Sequence, residues 1–547
     1  MKLKMKKANA VQAITLATIM SLVLFVTCAP EIQKNLWQIA GHPYLLNITA
    51  LVPPKSNDLH HEIKFKYSIA SISRHQTQFL DFLNGESKVN RSLAFGGSLD
   101  NTFVLAESWQ FVHTHALAFV ANKTYDRADF AQLAVGARAH YILYRVLHNE
   151  QILAEKFDIS ISSLQDTVTR LEQMLYPWIM PSYSGVRELQ TSLGKGSVGI
   201  VITVGNKYFY VAQHLILSLR TVLNVTLPVE IYYTGKYDLS SARVEALRVL
   251  PNVEVIDIQT QFPSETVQLT GWAIKAWALL ASRFETVLFM DADIAFFTDP
   301  TAALSSPLFL KNRLLFFHDR KLHHPGSYPG IQLLKDMNPH LSNYGANTLF
   351  ARSHTIRGTT NELESGFLVL DKENTGVLFS LLLAAKMNSK LERDQVLYRK
   401  VHGDKESFWF ATETLRVPYA FVPDYSGAIG FQDGSLRNNN QFIRICEGKP
   451  LHLDENRNPF WFHAGSVLFG DYRNAEPPNF YGFSPLIDMI FQYEYNDTDD
   501  LWGGGTSCIT QNRKQSGKVN DAQAKIIEAY REIFRKDIKK VSSLPSR

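Results

Sequence analysis

Asp291 and Asp293 stand two residues apart at the end of the apolar run Leu288-Phe289-Met290. In a strand, side chains at i and i+2 point the same way, so both carboxylates can reach one cation. Hard oxygen ligands suit Mn2+ or Mg2+, and such ions are commonly shared between one or two carboxylates and the phosphates of a substrate. The chemistry this permits is departure of a group from a diphosphate, with the cation offsetting the charge that develops. An acidic pair by itself is more often a solvated strand end, so the elements around it decide its meaning.

Those elements alternate. Val198 to Val204 is a short β-branched run suited to a strand buried on both faces, followed by a helical pattern from Asn206 to Leu223. Val229 to Tyr233, Val253 to Ile258 and Thr286 to Met290 read as further strands, with helical patterns over Ser241 to Leu250 and Trp272 to Ser282. Strands alternating with helices predict an α/β fold with a mostly parallel sheet flanked by helices, which binds ligands beyond the carboxyl ends of its strands. The aspartyl-phosphate phosphatases share the strand and acidic pair, but they want Thr or Val two residues after the second Asp and use their first strand. Here Ala295 occupies that position and three strands come earlier. Ahead of this unit, Phe130, Leu133, Ala134 and Ala137, then Ile142, Leu143, Val146 and Leu147, recur at helical spacing and predict a helical subdomain over 101–190. Behind it, Ile526, Ile527, Tyr530, Ile533, Phe534 and Ile538 predict a docking amphipathic helix in a C-terminal extension, 471–547, with a flexible turn at Gly503 to Gly505.

Charge is nearly balanced, with 56 Lys+Arg against 52 Asp+Glu among 547 residues, so no global basic field favours nucleic acid. Lys2, Lys4, Lys6 and Lys7 precede an uncharged stretch from Ala8 to Ala29. About 20 such residues can cross a bilayer, and the positive-inside tendency leaves the lysines in the cytosol. The expected order is a cytosolic tail over 1–7, an anchor over 8–29, a stem over 30–100 with helical character behind it, and a lumenal catalytic unit over 195–470. A cleaved signal peptide ending at Thr27-Cys28-Ala29 is the alternative, disfavoured by Pro30 directly after the cut. Sequons at Asn47, Asn90, Asn122, Asn224 and Asn496 suit a glycosylating compartment. Cys446 and Cys508 leave one lumenal disulfide and two unpaired thiols as equal readings, and three cysteines exclude a zinc cluster or a disulfide scaffold.

Several blocks in order carry a family likeness: Gly199 to Thr203, Glu230 to Gly235, Ile274-Lys275, Val287 to Asp293, Glu364-Ser365-Gly366, and Gly403 to Trp409. From Val198 to about Ser466 the chain resembles the fungal α-mannosyltransferases of glycosyltransferase family 71. The resemblance implies a nucleotide-diphosphosugar (GT-A) fold, GDP-mannose as donor, and retention of the α configuration by front-face departure and attack. It implies a mannosylated glycan or glycoprotein as acceptor, a single-pass type II protein of the Golgi membrane with its catalytic domain in the lumen, and membership of a Golgi mannosyltransferase complex. Carried over by position, Asp291 and Asp293 would hold the metal and the diphosphate, with Lys275, Thr203 and Gly205 as further donor contacts. A solvated helix face is the other reading of Lys275. Glu364 and Ser365, just before the run Phe367 to Leu370, would line the mannose, with a strand-edge turn as the other reading. Asp404 would contact donor or acceptor sugar, while Lys405 and Glu406 could simply pair with each other.

A late histidine is expected as third metal ligand. His463, in Pro459-Phe460-Trp461-Phe462-His463, matches the α-1,2 branch of the family and is favoured; His452, in Leu451-His452-Leu453-Asp454, matches a block of the α-1,3 branch, whose members often have Asn where His463 stands. On the balance of blocks, α-1,3 transfer is the first expectation and α-1,2 transfer the second. A lectin-like or scaffolding subunit that has lost turnover is the non-enzyme rival.

Overall fold

The computed structural model describes residues 116, 126–149, 160–263, 267–321, 329–338, 341–352, 358–433 and 442–464, and in the C-terminal part 490–492, 509–512, 516–534 and 536. The expected tail, anchor and stem, the sequons other than Asn224, the Gly503 to Gly505 turn and Cys508 lie outside the described residues, as does the side chain of Cys446. Among the described residues no helix is long and apolar enough to cross a membrane.

The strands, in chain order, are β1 (Gly194–Thr203), β2 (Val229–Tyr233), β3 (Val253–Asp257), β4 (Phe284–Asp291), β5 (Ile294–Phe296), β6 (Leu314–His318), β7 (Leu363–Asp371), β8 (Ala420–Phe421), β9 (Gly427–Asp433), β10 (Phe442–Leu453) and β11 (Pro459–His463). The main helices are α1 (Phe130–Asn149), α2 (Ile161–Leu175), α3 (Phe209–Thr221), α4 (Ser241–Arg248), α5 (Ile274–Ala281), α6 (Thr375–Met387), α7 (Lys405–Leu415) and α8 (Asp521–Ile533). A seven-stranded sheet in the order β3-β2-β1-β4-β7-β6-β8 forms the centre. All of its strands run parallel except β7, which is antiparallel to both neighbours. The fold is therefore α/β with a mostly parallel sheet.

Both faces of the sheet are covered, which is why its strands read as unbroken apolar runs. Successive residues of a strand face opposite sides, and β4 shows this directly. Val287 and Phe289 join a core with α1, α2, α5, α6 and α7. Leu288 and Met290 join a second core with α3, α4, α8, β5 and β11. The helices of 126–190 share the first core with the sheet and its crossover helices.

A smaller sheet sits beside the end of β4. It takes β5, β11 and β10 in that order, extends to the strand Ile509–Asn512, and pairs β9 along β10. Because β5 follows Asp291-Ala292-Asp293 directly, its pairing with β11 fixes what stands beside the acidic pair. The register is Ile294 opposite His463, Ala295 opposite Phe462 and Phe296 opposite Trp461.

The C-terminal helix begins earlier than its apolar spacing suggests. Asn520 caps it, accepting from the Gln523 backbone while the Gln523 side chain returns to the Asn520 backbone, a capping box that fixes the start at Asp521. Tyr530 on α8 donates its hydroxyl hydrogen to the carbonyl of Phe296 in β5. His214 of α3 is fully buried and its Nε2–H donates to the carbonyl of Tyr530 at 2.8 Å.

Burial lowers the His214 imidazole to about 4, against the opposing effect of that carbonyl. An unfolded chain accepts this proton near pH 6.5, whereas the folded one refuses it until about 4, so stability from neutral His214 is intact above that window and lost as pH falls through it. The loss should reach roughly 3 kcal/mol. Thermal unfolding of the wild type and His214→Gln between pH 7 and 4 checks this: the wild type should lose more of its melting temperature on acidification than the variant does.

Candidate active site

The site lies where β4, β7, α5 and α7 meet β11. Lys275, on the first turn of α5, is buried rather than on a solvated helix face. Its ammonium bonds Asp291 Oδ1 at 2.8 Å and Oδ2 at 2.9 Å, donates to Ser365 Oγ at 3.1 Å, and stands 3.7 Å from Asp404 Oδ2. Burial alone would lower this amine, but Asp291 and Asp404 hold it above its usual value. Asp291 is itself pushed up to about 6, by burial first and then by Asp293 and Asp404, with Lys275 opposing.

A second ammonium holds the other side. Lys405, the first residue of α7, bonds Glu364 Oε2 at 2.7 Å and Asp319 Oδ2 at 2.9 Å. It does not pair with its neighbour Glu406, whose Oε1 accepts the backbone N–H groups of Glu362 and Leu363. Burial would raise the Glu364 carboxyl, but Lys405 and His463 hold it well below its ordinary value. Asp319 was not singled out from the sequence, although it follows the buried run of β6 just as Asp291 closes that of β4.

Glu364-Ser365-Gly366 lies inside β7 and not ahead of it, so a strand-edge turn does not describe it. Glu364 faces Lys405 and His463, while Ser365 faces Lys275 on the opposite side of the strand. Gly366 gives a close approach: a Cβ there would meet His463 Cε1 and Trp461 at 3.2 Å.

His463 sits between two carboxylates. Its Nδ1 is 3.8 Å from Asp293 Oδ1 and its Nε2 is 3.6 Å from Glu364 Oε1. Burial works to lower its imidazole, yet Glu364 and Asp293 outweigh it and push the group up to about 9. His452 is fully buried behind it, stacked on Trp461 with centroids 3.9 Å apart, and neither of its ring nitrogens has a hydrogen-bond partner among the described residues. Ligand atoms of Glu364, His452 and His463 all lie within 4.8 Å of one another.

Asp404 precedes α7, is buried, and makes no side-chain cap to the helix. Its Oδ2 has no hydrogen-bond partner among the described residues. On the far side of β4, Thr203 ends β1 in register with Asp291. A Cβ at Gly205 would press on the Asp238 side chain. Thr203 and Gly205 thus flank Asp291 along β1, whereas Glu364, Ser365 and Asp404 flank it along β7 and α7.

The donor set offers oxygen and nitrogen ligands to a divalent cation. Asp293 Oδ1 and His463 Nδ1 stand 3.8 Å apart, between the ~3.0 Å of adjacent and the ~4.2 Å of opposite ligands about 2.1 Å from one octahedral ion. Carboxylate oxygen with imidazole nitrogen suits Mn2+. The carboxylates of Asp291, Asp293, Glu364, Asp404 and Asp319 outnumber by one the cations set against them, Lys275, Lys405, the raised His463 imidazole and Arg320 beside Asp319. Asp291 differs from Asp293, since Lys275 already engages both of its oxygens.

Residues 197–454 match a family model described as "Mannosyltransferase putative". The chain is 26% identical over 341 residues to the "Putative alpha-1,3-mannosyltransferase MNN14" of Candida albicans, covering 54% of this chain and 49% of that protein. It is 24% identical to alpha-1,3-mannosyltransferase MNT3 of Saccharomyces cerevisiae, covering 56% of this chain and 52% of the relative. It is also 24% identical to alpha-1,2-mannosyltransferase MNN23 of Candida albicans, with 56% and 53% covered. The chain spans about half the length of these curated relatives. Among solved structures, galactosyltransferase LgtC with donor and acceptor sugar analogs is 14% identical over 41% of this chain and 73% of that one, with a TM-score of 0.25. Mouse xyloside xylosyltransferase 1 is 13% identical over 41% and 84%, with a TM-score of 0.26. Scores this low add nothing to the sheet order read from the chain itself. Over the segment that builds the acidic site, the chain resembles the fungal mannosyltransferases, those of α-1,3 and those of α-1,2 linkage alike.

Proposed function

We propose that this chain is a retaining, metal-dependent α-mannosyltransferase of the GT-A type, moving mannose from GDP-mannose to a mannosylated glycan in the Golgi lumen, behind an N-terminal membrane anchor. The observation that carries the proposal is the buried acidic site at the end of β4, where Asp293 faces His463 and Asp291 is held by Lys275. Such a site binds an anionic diphosphate only together with a cation, and the likeness to mannosyltransferases over 197–454 supports mannose as the group moved.

When bound, Mn2+ or Mg2+ held by Asp293 and His463 with Asp291 would neutralise charge on the departing diphosphate. The protein groups do the rest. Lys275 donates to both the Asp291 carboxylate and the Ser365 hydroxyl, a preorganised positive charge beside the leaving group. Asp404 Oδ2, without a hydrogen-bond partner among the described residues, can accept a sugar hydroxyl. Glu364 has both oxygens engaged, by Lys405 and by the Gly366 N–H, which makes it a poor nucleophile. Front-face departure and attack, with the diphosphate taking the acceptor proton, therefore fits better than a covalent glycosyl intermediate.

Transfer to the 3-hydroxyl is the first reading of the linkage. The 2-hydroxyl is the second, favoured by the placement of His463 beside Asp293. Methylation analysis of the product separates them.

Three outcomes are expected. Full-length protein in detergent, given GDP-mannose, Mn2+ and mannobiose, should form mannotriose, and chelation should abolish it reversibly. Asp293→Asn should lower kcat by about a thousandfold, in line with the several kcal/mol a cation contributes to charge stabilisation; wild-type turnover in this variant would remove the metal reading. Intact-mass analysis with a slow fluorinated donor should find no mannosyl adduct, and an adduct on Asp404 would replace the front-face route by a double displacement.

A further inference from the structure

Trp272 is unlike the other tryptophans named so far. Trp461 lies fully buried in the core beneath His463, whereas Trp272 is 49% exposed, three residues ahead of Lys275. It sits on the 3-10 turn Gly271–Ala273 that leads into α5, so its backbone is tied to the element that places the ammonium on Asp291. Gly271 takes a left-handed backbone, φ +55°, with open space where a Cβ would be.

One side of the indole is held. Gly403, also left-handed with φ +67°, presses against it so closely that a Cβ there would come 2.8 Å from Trp272 Cε3. His402 packs on the same ring, centroids 5.4 Å apart at 48°. The preceding loop is pinned as well: Lys390 donates to the Gln268 side chain, and Arg393 Nη1 donates to the Gln268 carbonyl at 3.4 Å. Gly403 is followed directly by Asp404, whose buried Oδ2 stands 3.7 Å from the Lys275 ammonium and has no hydrogen-bond partner among the described residues. A fixed, half-open aromatic surface therefore adjoins a carboxylate able to accept a sugar hydroxyl.

We infer that Trp272, with His402 beside it, is the platform on which a hexopyranose of the acceptor glycan stacks, with Asp404 accepting one of its hydroxyls. This rests on the transferase reading above and names where its acceptor binds. A pyranose has an apolar face of C–H groups and an edge of hydroxyls, which suits an indole plane next to a hydrogen-bond acceptor. A nucleobase would also stack on indole, but a carboxylate one residue from the Gly403 that presses on the ring suits a hydroxyl-rich pyranose. The helix α5 packs against β1, β2 and α6, and α7 packs against β7; Trp272 and Gly403 meet where these two helices begin.

The test compares full-length wild type with Trp272→Ala and Trp272→Phe. Mannobiose binding is followed by saturation-transfer NMR, GDP binding in Mn2+ by calorimetry, and KM for mannobiose by turnover. The expected result is an acceptor KM raised about tenfold or more in Trp272→Ala, the range typical of truncating an interface Trp. The Phe variant should recover most of the effect, and GDP affinity should stay at its wild-type value. A mannobiose KM and NMR signal unchanged in Trp272→Ala would overturn the platform. So would a fall in GDP affinity that accounts for the whole effect, since the ring would then serve the nucleotide. If the wild type moves no mannose yet loses mannobiose binding on Trp272→Ala, the transferase reading fails while the sugar platform stands.

Discussion

Two buried ammonium groups hold the site together. Lys275 joins Asp291 of β4 to Ser365 of β7 and stands beside Asp404 at the start of α7. Lys405 joins Asp319, after β6, to Glu364 of β7. Taking a carboxylate out of water costs several kcal/mol unless a cation meets it in good geometry, and removing one partner leaves that cost uncompensated. Here each cation serves carboxylates from distant parts of the chain, so the charges lock the crossing of sheet and helices as much as they prepare chemistry. What the two lysines leave over is the Asp293 carboxylate beside the His463 imidazole, and that remainder is what suits the site to a cation with a diphosphate.

The second constraint is a register. Three residues of β5 follow the acidic pair and bond to β11, placing His463 opposite Ile294 and its ring beside Asp293. The backbone N–H of Ala464 then donates to the Asp293 carbonyl at 2.7 Å, holding the turn itself. A slip of one residue would turn His463 to the other face and bring Phe462 or Ala464 in its place. Gly366 keeps room for the imidazole on the facing strand, and α8 secures β5 from behind through Tyr530. The C-terminal helix thus bears on the site without contributing a residue to it.

Much of this could be read from residue order because double burial writes itself into composition. The run Val287 to Met290 feeds two cores, so it is apolar without alternation, and its end at Asp291 is unmistakable. Glu364-Ser365-Gly366 misled for the same reason in reverse. Glu364 and Ser365 are fully buried in the middle of a sheet, and polar residues there look like a boundary until their partners are known. Those partners, Lys405 and Lys275, lie 41 and 90 residues away in sequence, and no local spacing encodes them. Local adjacency instead suggests that Lys405 meets Glu406. The two histidines posed the same difficulty: only the β5 to β11 register distinguishes the one beside Asp293 from the one stacked on Trp461.

If metal and nucleotide sugar occupy one site, each must strengthen the other's binding by the same factor, because the coupling is reciprocal. Calorimetric titration of GDP-mannose into the full-length chain, with and without Mn2+, measures that factor directly, and the reverse titration must return the same value. Binding of GDP-mannose that is weak alone and at least tenfold tighter with Mn2+ is the predicted result. An affinity indifferent to Mn2+ would contradict joint capture of cation and diphosphate at the end of β4.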